Sequence, residues 1–384
     1  MGRFRIVDDQ TIGEGMCTDI YFLRTEEILH REGLNPQVTM EVTATSLPSS
    51  WGVFCGLEDV LTLLEGVPVS LDAMPEGCRF FPNEPVVRIT GGYADFARYE
   101  TAILGFLCHA SGIATAAAHI TAAAAGIPIY SFGSRRQHPA IASMVERAAW
   151  IGGVSGVSNV CAPEGVPRVG TMPHSFIICH SSPERAFRAF DQHAGGEVPR
   201  IMLCDTHCDE KREVLIAAAA GAEAVRLDTP SSRRGDLRAI LEEVRWELDA
   251  AGFESVQIVL SGGLTREDVL KYRDLVDAYG VGGAIANAPV IDFALDIVEI
   301  GGQPYAKRGK RSGVKQVYEH ENLHHETRRA EQIPPKGAHP LLQPWIEHGR
   351  VLARPDLQES RERVLRALQS DAGGVPAEGD KQLL

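Results

Sequence analysis

The chain has 384 residues, 44% of them hydrophobic and 23% charged, which is enough for one large domain or for two to three ordinary ones. This composition is close to the globular average and excludes collagen-like repeats, coiled coils and a wholly disordered chain. The formal net charge of −13 repels a phosphate backbone at long range, so we expect no nucleic acid as a partner.

The N-terminus has no apolar core followed by a small-residue cleavage site, so it does not resemble a signal peptide. The most apolar stretch, 110–130, carries His119 near its centre and ends with Gly126 and Pro128, and it predicts a buried helix and then a strand. The eight cysteines are dispersed and form no C-x-x-C pair, which favours reduced thiols and argues against structural zinc. We therefore expect a cytoplasmic protein with no membrane partner.

The first part of the chain predicts an α+β domain. Short strands are predicted at 38–46, 67–74 and 85–93, separated by turns rich in glycine and proline. We place this domain at residues 1–115 and expect residues 290–330 to complete it.

From about residue 127 the chain alternates short apolar runs with amphipathic segments, a pattern typical of β/α units. Strands are predicted at 127–131, 156–160, 200–205, 224–228, 256–263 and 281–287. Helices are predicted at 210–220, 235–251 and 265–279, the last opening with a Thr265-x-x-Asp268 capping box. The pattern predicts a parallel barrel over residues 116–289, with an open doubly wound sheet as the alternative.

The remaining residues, 321–384, are predicted to form a C-terminal extension. Its last segment, DAGGVPAEGDKQLL (371–384), has the composition of a disordered tail.

The segment FGSRRQHP (132–139) is the first candidate for ligand binding. Arg135 and Arg136 can bind a carboxylate or phosphate through their guanidinium groups, and Phe132 offers a ring face. The alternative is a solvated arginine pair at the start of a helix that begins at Pro139.

Two further motifs carry histidine and aspartate. His174, in the glycine- and proline-containing loop GTMPHSFIICH (170–180), can act as nucleophile, general acid or ligand, or can simply be a hydrogen-bonded loop residue. In LCDTHCDEK (203–211) we interpret Asp205 as a functional carboxylate, and His207, Cys208 and Asp209 as capping and packing residues.

The last motifs lie at predicted strand ends. Arg226 and Asp228 share a face of one strand, either as a buried ion pair or with Asp228 binding a ligand hydroxyl. Glycine pairs at consecutive β/α turns predict a phosphate site, because their backbone N–H groups can approach an anion closely. The residues of this predicted phosphate site are Ser261, Gly262, Gly263, Gly282 and Gly283.

The order and spacing of these motifs resemble the type II phosphoribosyltransferases, and within them the nicotinate phosphoribosyltransferase family in its shorter bacterial and archaeal form. The resemblance spans roughly residues 15–320. It rests on CTDIYFLRT (17–25), NEPVVRITGGY (83–93), ETAILGFL (100–107), FGSRRQHP, GTMPHS (170–175), CDTHCDE (204–210), VRLDT (225–229), SGGL (261–264), YGVGGAI (279–285) and KRGKRSGVKQVY (307–318).

The resemblance implies an incomplete TIM-like β/α barrel with an N-terminal α+β sandwich domain. It also implies transfer of phosphoribosyl from phosphoribosyl pyrophosphate to nicotinate, giving nicotinate mononucleotide and pyrophosphate in NAD salvage. Mg²⁺ would enter with the pyrophosphate and have few protein ligands of its own. His174 matches a histidine that ATP phosphorylates in many members, so the resemblance also implies ATP coupling.

By resemblance, Asp205 and Asp228 hold the ribose hydroxyls and offset positive charge in the transition state, while the glycine pairs bind the 5′-phosphate. Phe132 and Tyr21 of a second subunit would sandwich the pyridine ring, which implies a homodimer with shared sites. The remaining substrate-binding residues implied are Arg135, Arg136, Ser175 and Arg226.

Three other functions stay open. Quinolinate or another aromatic acid is an alternative phosphoribosyl acceptor. A metal-dependent barrel hydrolase could use Asp205, His207 and His174, and a homologue could bind nucleotide without catalysis. A Schiff-base aldolase is set aside because none of the predicted barrel strands contains a lysine.

Overall fold

A computed structural model describes residues 4–232 and 235–373. The described residues divide into two compact units. The first comprises those within Met1–Thr115 and Pro289–Leu384, and the second, the barrel unit, comprises those within Ala116–Ala288.

The first unit begins with helices and the strands of an antiparallel sheet. Its N-terminal elements are α1 (Asp9–Gly13), α2 (Ile20–Glu32), β1 (Gln37–Ala44), β2 (Gly52–Val53), α3 (Leu57–Leu64), β3 (Val69–Ala73), β4 (Arg79–Phe80), β5 (Pro85–Gly92), α4 (Tyr93–Phe96) and α5 (Glu100–Ala124), and the boundary between the units falls within α5.

The barrel unit follows. Its elements are β6 (Ile129–Ser131), α6 (Ala142–Ile151), β7 (Gly156–Val157), α7 (His174–Cys179), α8 (Pro183–His193), β8 (Ile201–Leu203), α9 (Glu210–Ala219), β9 (Ala224–Leu227), α10 (Leu237–Ala250), β10 (Gln257–Leu260), α11 (Arg266–Tyr272), β11 (Ala278–Val281) and α12 (Gly283–Ala286).

The chain then returns to the first unit. The returning elements are β12 (Phe293–Ile300), β13 (Gln303–Pro304), β14 (Lys315–His320), β15 (His325–Arg329), β16 (Ala338–Pro340), β17 (Gln343–Glu347), β18 (Arg350–Val351) and α13 (Leu357–Gly373).

The first unit is built on a sheet in the order β13-β12-β1-β5-β3-β17-β18, and β1 pairs antiparallel with both β5 and β12. Residues beyond 320, predicted as an extension, contribute β15 to β18 and α13 to this unit, and β17 pairs with β3. α13 includes 371–373, which the composition predicts to be disordered. The rest of that predicted tail, 374–384, lies outside the described residues.

The barrel unit contains a parallel sheet in the order β7-β6-β11-β10-β9-β8. In the described part of the chain, β7 and β8 lie at its two edges, so the sheet curls into an incomplete barrel. This confirms the predicted fold class. Buried Ile201, Ala224, Val259 and Ala278, one from each of four neighbouring strands, pack together in its core.

Three predicted boundaries in the barrel unit are wrong. The predicted strand 281–287 ends at Val281, and Gly283–Ala286 is helical because the two glycines break the apolar run. The predicted helix 265–279 ends at Tyr272, although its capping box forms as predicted. Pro139 begins a single 3-10 turn, and α6 starts at Ala142.

One helical stretch among the described residues, Tyr93–Ala124, is long and apolar enough to cross a membrane by length and composition alone. Of its apolar window 61% is buried inside the fold, and buried core helices meet the same criterion.

A buried histidine lies between two carboxylates in the first unit. The Nδ1 of His325 is 3.0 Å from Oε2 of Glu84, and its Nε2 is 3.3 Å from Oε2 of Glu319. Burial alone lowers the pKa of this imidazole, but the hydrogen bonds to Glu319 and Glu84 outweigh burial and raise its pKa to about 9. The protonated ring therefore joins β15 to the turn before β5.

We expect His325→Gln to destabilise the protein most at pH 6. Because the folded pKa lies above the unfolded value near 6.5, the charge contributes fully below about pH 6.5 and is lost as pH rises through about 9. The deficit in unfolding free energy should be up to about 3 kcal/mol at pH 6 and should shrink by pH 10.

Urea unfolding at pH 6, 8 and 10 measures this effect. The exposed His339→Gln on β16 is the matched control and should change stability little at any of these pH values. A deficit for His325→Gln that does not vary with pH would contradict the assignment.

Candidate active site

The carboxyl ends of neighbouring barrel strands bring together the side chains predicted to act on a ligand. Asp205 follows β8, Asp228 follows β9, and Ser261 follows β10. Parallel strands present their carboxyl ends at one edge of the sheet, which is why these residues meet although they are far apart in sequence.

The Asp205 side chain is 3% exposed. Its Oδ2 accepts hydrogen bonds from the Asp228 N–H at 3.0 Å and the Thr229 hydroxyl at 2.9 Å. Its Oδ1 is buried and has no hydrogen-bond partner among the described residues. Burial raises the pKa of this carboxyl group, while the Thr229 hydrogen bond and His174 act in the opposite direction.

His174 is the first residue of α7, where the sequence predicted a loop. Its Nδ1 is 3.0 Å from Oγ1 of Thr206. Its Nε2 lies 3.8 Å from Oδ1 of Asp205 and 3.7 Å from Oδ2 of Asp228. The side chain is 41% exposed, so the imidazole bridges the carboxylates and solvent.

Arg226 is buried on β9 and holds the neighbouring groups in place. It donates to the Ser261 hydroxyl at 3.1 Å and to the Met172 carbonyl at 3.0 Å. Ser261 in turn donates to Oδ1 of Asp228 at 2.9 Å, and Nη1 of Arg226 lies 3.7 Å from Oδ2 of Asp228. The sequence left two interpretations of Arg226 and Asp228 open, a buried ion pair or an Asp228 that binds a ligand hydroxyl. Both agree with the structure, because the Arg226 side chain is 10% exposed and the Asp228 side chain is 30% exposed.

The first glycine pair lies beside Asp228. Gly262 has φ +99°, and a Cβ there would lie 2.8 Å from the Asp228 carbonyl oxygen, so this turn favours glycine. Gly263 also has positive φ and open space around its Cα. In the second pair, Gly282 is the N-cap of α12 and Gly283 is its first residue.

The FGSRR segment follows β6 and packs against β11 and α12. The Phe132 N–H donates to the Val281 carbonyl at 2.8 Å, and the Phe132 ring lies 6.0 Å from the Arg226 guanidinium carbon. A Cβ at Gly280 would lie 2.3 Å from that ring, so glycine is required for this close approach. Arg135 and Arg136 occupy a 3-10 turn with exposed side chains.

Two further predicted substrate residues, Ser175 and Tyr21, lie on α7 and α2. Ser175 lies in the first turn of α7 with an exposed side chain. Tyr21 lies on α2 in the first unit, is 56% exposed, and donates a hydrogen bond to Asp19 at 3.2 Å. The sandwich of a pyridine ring by Tyr21 and Phe132 therefore stays a prediction.

Sequence reasoning missed three groups that support the site. Thr206 and Thr229 contact His174 and Asp205 directly. Glu213, fully buried on α9, accepts hydrogen bonds from the backbone around Thr206. A glutamate within the apolar stripe of α9, next to Val214 and one turn before Ala217, was the signal that could have indicated Glu213.

The site can stabilise positive charge and bind hydroxyl groups through two carboxylates. Oxygen ligands of this kind suit Mg²⁺, and the buried Oδ1 of Asp205 accepts no hydrogen bond from the described residues. Within residues 4–232 and 235–373, no group of three or more His, Cys, Asp or Glu side chains is arranged to hold a metal ion. A hydrolase using Asp205, His207 and His174 as metal ligands gains no support from this geometry.

Comparison with known proteins agrees with these features. The quinolinate phosphoribosyl transferase N-terminal domain model matches residues 19–111, and the C-terminal domain model of the same family matches residues 113–296. Nicotinate phosphoribosyltransferase pncB2 of Mycobacterium tuberculosis (strain ATCC 25618 / H37Rv) is 33% identical over 401 residues, which cover 90% of this chain and 85% of that protein. Nicotinate phosphoribosyltransferase pncB1 of the same species (strain CDC 1551 / Oshkosh) is 30% identical, covering 96% and 92%.

Solved structures show the same architecture. The crystal structure of nicotinate-nucleotide pyrophosphorylase from Pyrococcus furiosus is 51% identical, with a TM-score of 0.95, and the match covers 98% of this chain and 100% of that one. Human nicotinic acid phosphoribosyltransferase shares the fold at 21% identity, with a TM-score of 0.76 over 92% of this chain and 94% of that one. The chain therefore belongs to the type II phosphoribosyltransferases of the nicotinate phosphoribosyltransferase kind, and it is a phosphoribosyltransferase of NAD synthesis.

Proposed function

We propose that this phosphoribosyltransferase transfers the phosphoribosyl group of phosphoribosyl pyrophosphate to nicotinate, giving nicotinate mononucleotide and pyrophosphate. The observation that carries the proposal is the convergence of Asp205, Asp228 and His174 within 4 Å at the carboxyl edge of the barrel sheet. The nicotinate phosphoribosyltransferases of Mycobacterium tuberculosis, which this chain resembles over most of its length, support the choice of nicotinate.

In the proposed reaction the pyridine nitrogen forms a bond to the anomeric carbon while the bond from that carbon to pyrophosphate breaks. Positive charge develops on the ribose ring in the transition state, and the carboxylates of Asp205 and Asp228 stabilise it. The Ser261 hydroxyl and the Arg226 guanidinium orient Asp228, so that its carboxylate can also accept ribose hydroxyls.

The anionic groups of the substrates have separate positions in this proposal. The 5′-phosphate binds the backbone N–H groups of Gly262, Gly263, Gly282 and Gly283, and the exposed Arg135 and Arg136 engage pyrophosphate or the nicotinate carboxylate. Mg²⁺ would enter with the pyrophosphate and neutralise charge on that leaving group.

A homodimer completes the proposed site. Ile20, Tyr21 and Ile28 on α2 are each more than half exposed, and an apolar surface of this kind suits a second subunit. Tyr21 of that subunit would cover the pyridine ring opposite Phe132. The proposed location is the cytoplasm, because the proposed substrates are small and polar.

We expect pyrophosphate release from phosphoribosyl pyrophosphate and Mg²⁺ with nicotinate, and little with nicotinamide or quinolinate. A coupled pyrophosphate assay measures all three acceptors, and chromatography identifies the nucleotide product. Turnover with quinolinate but not nicotinate would favour the alternative that the matched family model names.

Asp228→Asn should lower kcat by about 100- to 1,000-fold, because it removes a carboxylate charge from the transition state. Steady-state kinetics measure the loss, and thermal unfolding should show a small change in Tm. Asp236→Asn, which alters the exposed N-cap of α10, is the matched control and should retain activity. An active Asp228→Asn enzyme would remove Asp228 from the mechanism.

ATP coupling through His174 is the finer part of the proposal. We expect ATP to stimulate the wild-type enzyme and His174→Gln to lose this stimulation while keeping slow basal transfer. Rates with and without ATP, together with incorporation of the γ-phosphate label into protein, measure the effect. His180→Gln, at the C-cap of α7, is the control, and a wild-type enzyme indifferent to ATP would contradict the coupling.

A further inference from the structure

The loop that follows Asp205 is held by one buried carboxylate. Oε2 of Glu213 accepts a hydrogen bond from the Thr206 N–H at 2.9 Å. Oε1 of the same residue accepts from the N–H groups of His207 at 2.5 Å and Cys208 at 2.9 Å. Hydrogen bonds from backbone N–H groups to a carboxylate are strong and directional, so this arrangement fixes the loop.

This interaction is not needed to cap the following helix. Asp209 is the N-cap of α9, and its Oδ1 accepts from the Arg212 N–H at 2.9 Å. Glu213 instead binds the residues before the cap. From its buried place in the apolar stripe of α9, Glu213 therefore binds the backbone of the loop that carries Thr206.

Thr206, whose backbone Glu213 holds, in turn contacts the imidazole of His174. Its Oγ1 lies 3.0 Å from Nδ1, which leaves Nε2 directed towards the two carboxylates. Nε2 is 3.8 Å from Oδ1 of Asp205 and 3.7 Å from Oδ2 of Asp228, and that Oδ1 has no hydrogen-bond partner among the described residues.

The charges decide which nitrogen carries the proton. Two carboxylate oxygens near Nε2 favour a proton there, and the lone pair on Nδ1 can then accept from the Thr206 hydroxyl. The two ring nitrogens are thus in different environments, with Thr206 beside Nδ1 and Asp205 and Asp228 beside Nε2.

We propose that Glu213, acting through Thr206, is a positioning residue that keeps the proton of His174 on Nε2, facing Asp205 and Asp228. The orientation of the His174 ring can be tested on the protein without substrates, whereas the expected effect on kcat rests on the proposed function. Loss of the Thr206 hydroxyl would let the ring rotate and let both tautomers form.

Long-range ¹H–¹⁵N correlation spectra of the full-length protein, labelled at histidine, test the proton position. His174→Gln identifies the His174 resonances. We expect Nε2 to be protonated and Nδ1 to be an acceptor in the wild type. Thr206→Val should give a mixture of tautomers, and Thr206→Ser, which keeps the hydroxyl, should restore the wild-type pattern.

Kinetics give the second readout. Thr206→Val and Glu213→Gln should each lower kcat by about tenfold, the loss of roughly one hydrogen bond, with KM for phosphoribosyl pyrophosphate changed less than about twofold. Thr206→Ser should recover most of kcat. Asp209→Asn is the control, because it weakens the α9 cap without removing a hydrogen bond to the loop.

Two results would overturn the proposal: a wild-type His174 protonated on Nδ1, or a Thr206→Val spectrum identical to that of the wild type. A Glu213→Gln protein that keeps the wild-type tautomer would restrict positioning to Thr206 and thereby refute the part assigned to Glu213. If the wild type forms no nicotinate mononucleotide but shows the expected tautomer response, the proposed acceptor is wrong and the positioning is supported.

Discussion

The buried carboxylate of Asp205 is the constraint around which the barrel site is organised. Burying an unpaired carboxylate costs several kcal/mol, and so the surrounding chain must supply donors and positive charge. The Asp228 N–H, the Thr229 hydroxyl and the His174 ring are the groups that the structure places there. The first two follow β9 and the third begins α7, so satisfying this one charge at the end of β8 brings the end of β9 and the start of α7 next to it.

The same principle extends outward through Glu213 and Arg226, both buried. Glu213 accepts from the loop after Asp205, and Arg226 donates to Ser261, which in turn donates to Asp228. Asp228 and His174 are partly exposed to solvent. The buried Arg226 holds Asp228 through Ser261, and the buried Glu213 holds the loop whose Thr206 contacts His174. Such an arrangement keeps reactive side chains in place before a ligand arrives, which is what electrostatic stabilisation of a transition state requires.

Close packing of backbone explains the glycines of this site. Gly262 lies against the Asp228 carbonyl, and Gly280 lies against the Phe132 ring. A side chain at either position would displace the carboxylate or the aromatic ring. The net charge of −13 is no obstacle to binding small anions, because local guanidinium and backbone N–H donors act at short range while the net charge acts at long range.

The sequence alone determined the β/α architecture, the strand-end position of Asp205, Asp228 and Ser261, and the family, because these follow from hydrophobic period and from short ordered motifs. It misplaced the last barrel strand, since the apolar pattern does not distinguish a short strand from the helical turn Gly283–Ala286.

Only the tertiary structure decided which groups touch. The contacts of Thr206 with His174 and of Glu213 with its loop join residues on separate elements, and no local pattern records the side-chain directions that bring them together. The pairing of β17 with β3 depends likewise on contacts such as Gln343 with Ala73, which are far apart in the sequence, and periodicity along the sequence cannot encode them.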